Sequence, residues 1–196
     1  MPTDATSDRI TAAALTLFLS VGVKKADLAK IAYQAGVARI TVYRYCGDKK
    51  GLARAVCRQI VSIFQKAVGK ASAESFDDVD LRLNRLGEEL GNLPKGNLLA
   101  CLEEMRRLYP DVYEEFHQAR QAAVDAIFQQ ALDVATQEQA IREGINPEVL
   151  KAIFWAAVVG LLENPNLISS NVSLAEIFST VTEVFRHGIL KSPIEK

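Results

Sequence analysis

This chain of 196 residues is poor in histidine, cysteine and tryptophan, with two, three and one. His117 and His187 stand far apart, with no HExxH, no cysteine pair and no carboxylate–histidine cluster around either, so no metal is expected. Cys46, Cys57 and Cys101 are widely spaced, odd in number and without CxxC, which reads as reduced thiols and not as a disulfide framework. Enzyme motifs are missing too. There is no GxSxG and no GxGxxG, and Gly69-Lys70 lacks both the earlier glycine and the following hydroxyl of a phosphate loop. Neither catalytic residues nor a cofactor is expected, so the chain is not read as an enzyme. No apolar run reaches membrane-spanning length. The opening MPTDATSDRI carries acids and no apolar core, so no signal peptide is expected and a cytoplasmic location follows. Strict two-residue alternation is absent, which excludes strands.

What is present is a folded composition, 49% apolar, with an uneven distribution of charge. Residues 1–60 hold ten Lys or Arg against four Asp, net +6; residues 61–196 hold thirteen against twenty acids, net −7. A basic end on an acidic body is expected if only that end meets a polyanion.

Residues 26–52, ADLAKIAYQAGVARITVYRYCGDKKGL, are the most informative stretch. Leu28, Ile31, Ala32 and Ala35 repeat at i, i+3, i+4, i+7, the stripe of a short amphipathic helix. Gly36 supplies the left-handed residue that ends it. A second helical pattern follows, with Val37 and Val42 inward and Arg39, Thr41, Tyr43, Arg44 and Tyr45 on its other side. A small apolar–Gly–apolar turn between two helices, the second cationic and hydroxyl-bearing, is the pattern of a helix-turn-helix, whose second helix enters the major groove.

At these residues the chain resembles the TetR family of bacterial transcriptional regulators. The resemblance lies in Ile31-Ala32, Gly36-Val37, Thr41-Val42-Tyr43, Tyr45 and Lys49, and upstream in Ile10, Ala13, Ala14, Leu17, Phe18 and Gly22. In detail it covers roughly residues 8–58. The sequence departs from the family pattern at Asp27, Ala38, Ile40 and Cys46. Asp27 retains the chemistry to cap its helix. The resemblance implies an all-α fold: a helix-turn-helix domain at 1–47, and a helical ligand-binding and dimerisation domain at 48–196. It also implies a homodimeric repressor of double-stranded DNA released by a small-molecule effector. Arg39 and Arg44 would read bases, since a guanidinium bonds guanine O6 and N7 together. Ile40 would touch a thymine methyl, and Thr41, Tyr43, Tyr45 and Lys49 would hold phosphates. The alternatives are a degenerate member that dimerises and binds a small molecule but grips DNA weakly, as Asp27 and Ala38 suggest, or a helical protein of another class.

Capping chemistry and periodicity place nine helices, at about 8–21, 27–34, 38–44, 48–70, 76–91, 97–108, 110–136, 147–163 and 173–189. Ala152, Ala156 and Gly160 lie four apart on the eighth helix. Leu174, Ile177, Phe178, Val181, Val184, Phe185 and Ile189 form an apolar stripe on the last. These faces either meet a second copy in a four-helix interface or complete the protomer's own core. Cys101, Met105, Tyr109, Tyr113, Phe116, His117, Gln121, Phe128 and Trp155 have the composition of an apolar pocket with a few polar tips, and equally that of a helical core. As a pocket they would suit a lipophilic or aromatic effector.

Overall fold

A computed structural model of the chain describes residues 4–69, 73–170 and 172–190. Among these residues the fold is all-α, with ten helices: α1 Asp4–Val21, α2 Leu28–Gln34, α3 Arg39–Cys46, α4 Lys49–Val68, α5 Phe76–Gly91, α6 Leu98–Leu108, α7 Pro110–Gln137, α8 Pro147–Leu162, α9 Pro165–Ser169 and α10 Leu174–Ile189. The one helix beyond expectation is α9, a single turn started by the Asn164 cap and Pro165. The end expected for the fourth helix, residue 70, lies outside the described residues.

Local chemistry accounts for most boundaries. Ser173 and Glu176 form a complete capping box, and the Asn146 side chain accepts from Glu148 and Val149 N–H ahead of α8. Asp48 receives the Gly51 N–H at 2.7 Å where α4 begins. Tyr109, at φ −139° and ψ 67°, separates α6 from α7 because the following proline disfavours a helical residue before it.

The chain divides into two compact units. The first is Met1–Phe64 with Leu93–Ala122, and the second is Gln65–Asn92 with Ala123–Lys196. α4 and α7 contribute to both. The first unit joins α1–α3 to the start of α4, to α6 and to the start of α7. Its core is built from Ile10, Leu15, Phe18, Val23, Ile31, Val42, Leu52, Val56, Ile60, Met105 and Val112, all fully buried. Burial of each such side chain contributes about 1.5–3 kcal/mol. The loop before α6 lies against α1 so closely that a Cβ on Gly96 would fall 2.5 Å from the Leu19 carbonyl oxygen.

In the second unit α5 packs on α10. Phe178 lies against Gly87, Ile177 is buried, and Arg186 pairs with Asp80. Phe154 stacks on Phe128 at 4.3 Å between centroids and meets Phe185 edge-on at 5.4 Å. Arg82 and Gln130 both donate to the Val68 carbonyl, beside a cavity with room for about one water.

The reading that no apolar run reaches membrane-spanning length needs correction. Pro147–Ser169 is 23 residues long and apolar enough to cross a membrane by length and composition. Its helix is interrupted, however. α8 stops after 16 residues and Asn164 caps a separate turn, whereas a spanning helix needs about 20 continuous residues.

Candidate nucleic-acid interface

The helix-turn-helix is held together by few residues. Leu28, Ile31, Ala32 and Ala35 bury the inner face of α2, and Val42 is the buried anchor of α3. Gly36, at φ +65°, reverses the chain, and Gly36 and Val37 N–H return to the Tyr33 and Ala32 carbonyls at 3.1 and 3.0 Å. Asp27 caps α2 by accepting the Ala29 N–H at 2.8 Å, as its carboxylate chemistry led us to expect. Ala38 precedes α3 without a side-chain cap.

With Val42 inward and Tyr45 and Cys46 half-buried, the other face of α3 is open to solvent. Arg39, Ile40, Tyr43 and Arg44 are exposed, and Ile40 is 58% exposed. An isoleucine held in water beside two guanidiniums suits a surface with both anionic and apolar features, such as a major groove with thymine methyls. Arg39 is already ordered: its Nη2 donates to the Tyr43 hydroxyl at 3.1 Å, and its guanidinium lies 5.5 Å over the Tyr43 ring. Thr41 is half-buried at the edge of this face.

Besides Tyr43, two more residues expected at phosphates have partners within the protein. The Tyr45 hydroxyl lies 3.1 Å from Thr11 Oγ1. Thr11 donates its own proton to the Ser7 carbonyl at 3.0 Å, so in this pair Tyr45 is the donor. The Lys49 ammonium donates to the Lys24 carbonyl at 2.9 Å. Thr11 and Lys24 carried no signal in the sequence that would have linked them to this site.

Residues 10–56 match the family model described as bacterial regulatory proteins, tetR family. Over these residues the chain is similar to the DNA-binding domain of TetR-family regulators. Over 58 residues it is 40% identical to the HTH-type transcriptional regulator BetI of Stenotrophomonas maltophilia. That match spans 30% of this chain and 30% of the relative. Solved structures extend the likeness of fold to the whole chain. A TetR-family transcriptional regulator from Agrobacterium tumefaciens superposes with a TM-score of 0.67 at 14% identity, covering 95% of this chain and 98% of its own. A transcriptional regulator from Saccharomonospora viridis in complex with choline gives 0.64 at 18% identity, covering 96% and 100%.

Outside this TetR-type domain, the residues expected to line a pocket divide between the units. Cys101, Met105, Tyr109, Tyr113, Phe116, His117 and Gln121 belong to the first, and Phe128 and Trp155 to the second. Cys101, Met105 and Phe116 are buried, Tyr109, Tyr113 and His117 half-buried, and Gln121 exposed. Tyr113 stacks on His117 at 6.2 Å, and the buried Arg120 lies over the Phe116 ring at 5.3 Å and 3.3 Å from His117 Nδ1. The Trp155 indole N–H donates to Asp125 at 3.2 Å, and Lys151 pairs with the same carboxylate at 3.0 Å. The Lys151 hydrogen bond holds Asp125 below the usual carboxylate range. Burial pushes the Cys57 and Cys101 thiols up to about 12 and Cys46 to about 11.

Of the residues expected at a dimer interface, Ala152, Ala156 and Gly160 are exposed on α8, beside Val149 and Ile153, each 55% exposed. On α10, Leu174, Val181 and Phe185 are half-buried and Val184 is 63% exposed. Ile177 and Phe178 are engaged within the protomer.

Proposed function

We propose that this protein is a homodimeric transcriptional repressor. Its residues 1–47 bind double-stranded DNA, and residues 48–196 form its regulatory part. The observation that carries the reading is α3: one buried valine fixes the helix, and Arg39, Ile40, Tyr43 and Arg44 stand exposed around it. Arg39 and Arg44 read bases, Ile40 meets a thymine methyl, and Thr41, Tyr43, Tyr45 and Lys49 hold the backbone. Two copies span half-sites about 34–36 Å apart.

The exposed apolar residues of α8 and α10 support dimerisation, because a contiguous apolar face on a monomer marks an interaction site. Small residues at Ala152, Ala156 and Gly160 let a second helix approach closely. A cytoplasmic location accompanies this reading.

The effector we propose is lipophilic or aromatic, bound beside Met105, Tyr113 and His117 of the first unit. It releases DNA by binding one conformation of the dimer better than the other. A quaternary ammonium such as the choline of the Saccharomonospora viridis protein is the second reading. Asp125 and the surrounding rings favour it in composition, but those rings stack on one another and Lys151 already pairs with the carboxylate.

Enrichment of duplexes from a random DNA library by the full-length protein, followed by titration across salt, tests the central claim. We expect a preferred palindromic site whose affinity falls steeply with salt. No enriched sequence, with weak binding throughout, would favour the degenerate member suggested by Asp27 and Ala38.

A further inference from the structure

The turn between α1 and α2 is gripped by side chains that lie outside the helix-turn-helix. Glu104, in the middle of α6, is 80 residues away in sequence from Lys24. Its carboxylate accepts the Val23 N–H at 2.7 Å and the Lys24 N–H at 3.1 Å, one on each oxygen. Lys49, the first residue of α4, takes the Lys24 carbonyl at 2.9 Å. Lys24 therefore has its N–H on an anion and its C=O on a cation. The approach is close: a Cβ on Gly22 would fall 2.7 Å from Glu104 Oε2, so the glycine at φ +84° both turns the chain and admits the carboxylate.

From this geometry we propose that Glu104 is a positioning residue, through which α6 sets the orientation of the DNA-binding helices. This rests on the DNA-binding reading above. Hydrogen bonds to a charged group are short and directional, and a displacement of about 1 Å takes them out of range. The turn must therefore follow α6 or lose both bonds. Val23 is fully buried one residue after Gly22, and Ala26, Leu28 and Ile31 continue the same buried face into α2. Movement of the turn is thus passed to α2, and from α2 to α3 through the Gly36 turn. Helix shifts of about 1–2 Å are the scale on which packed proteins switch. The arrangement assigns the DNA-ready orientation to the bonded state, with Glu104 holding it.

The test uses the full-length protein and its Glu104→Ala and Glu104→Gln variants, with a duplex enriched by the wild type from a random library. Gln keeps one acceptor oxygen, so it serves as the conservative variant. Hydrogen exchange at the Val23 and Lys24 amides should rise about tenfold or more in the alanine variant and less in the glutamine variant. Affinity for the enriched duplex should fall about tenfold in Glu104→Ala, with partial rescue in Glu104→Gln, while binding to unrelated duplex DNA changes by less than about twofold. A purely structural role would weaken both kinds of DNA binding together. Unchanged exchange at both amides would show that the bonds do not form. Faster exchange with unchanged affinity would overturn the positioning role alone. Failure of the wild type to enrich any duplex would overturn the DNA-binding reading and the positioning role with it.

Discussion

Tyr45 donates its phenolic proton to Thr11 at 3.1 Å, across 34 residues, and so ties the end of α3 to the middle of α1. Thr11 is 6% exposed and gives its own proton to Ser7, so the two bonds form a short relay into the α1 backbone. A residue expected at a phosphate is thus also a brace of the fold. We expect Tyr45→Phe to lower stability by about 1 kcal/mol, the worth of one such bond. A double-mutant cycle with Thr11→Val, followed by urea denaturation, should return a coupling energy of similar size. Additive effects would show that the hydroxyls do not interact.

Arg44 and Lys49 should fail in different ways. Arg44→Ala should weaken specific binding by about 1–3 kcal/mol and broaden the bases tolerated at one position. Lys49→Ala should weaken binding to every duplex and lower the salt slope by about one unit. Because Lys49 also holds the Lys24 carbonyl, it should raise exchange at the α1–α2 turn as well. Gel-shift titration at several salt concentrations separates the two. If neither variant changes binding, α3 does not dock as proposed.

Gly160→Arg tests the α8 interface. Gly160 is exposed and a Cβ there would meet nothing within 4 Å of its own chain, so the protomer has room for the substitution. In an apolar contact between copies it places an unpaired charge, at a heavy desolvation cost. Light scattering should show monomer or aggregate. A clean dimer would place the interface elsewhere.

The thiols predict an alkaline limit. Cys57 and Cys101 ionise only at about 12 in the fold, because burial disfavours the thiolate, against 9.0 for the free side chain. Between those values the folded state holds more protons than the unfolded chain, so stability is full below pH 9 and falls as pH rises. Cys57→Ala should flatten the decline in melting temperature between pH 9 and 11. A thiol reagent should react slowly with the native protein and fully in urea. Rapid native labelling of Cys57 or Cys101 would contradict their burial.

Trp155 is the single tryptophan and donates to Asp125. Asp125→Asn should therefore shift its emission. An effector bound beside Met105, Tyr113 and His117 should raise the melting temperature by an amount that grows with ligand concentration. Lipophilic or aromatic compounds that left the melting temperature unchanged would count against the proposed lining.

Which parts were legible depended on the range of the interaction responsible. The Leu28-to-Ala35 stripe, the Gly36 turn and the caps at Asp27, Ser173 and Asn146 are written within three to seven residues of each other. One turn of helix contains their physics, so the helix-turn-helix and most helix boundaries could be read directly. α9 was missed although it starts with the same cap-and-proline chemistry as α8, because a five-residue turn shows no periodicity.

By itself the sequence determined an all-α chain with a basic helix-turn-helix at one end, since local periodicity, turn chemistry and charge suffice for that. Only the tertiary structure decided that Glu104 and Lys49 would meet at Lys24, that Thr11 would receive Tyr45, and that Phe178 would face Gly87 within the protomer while Val184 stayed exposed. Each of these pairings joins residues whose sequence separation follows no helical period. A carboxylate on α6 carries no mark of which distant amides it will accept, because that choice is made by the packing of whole helices and not by the neighbours of Glu104 in the chain.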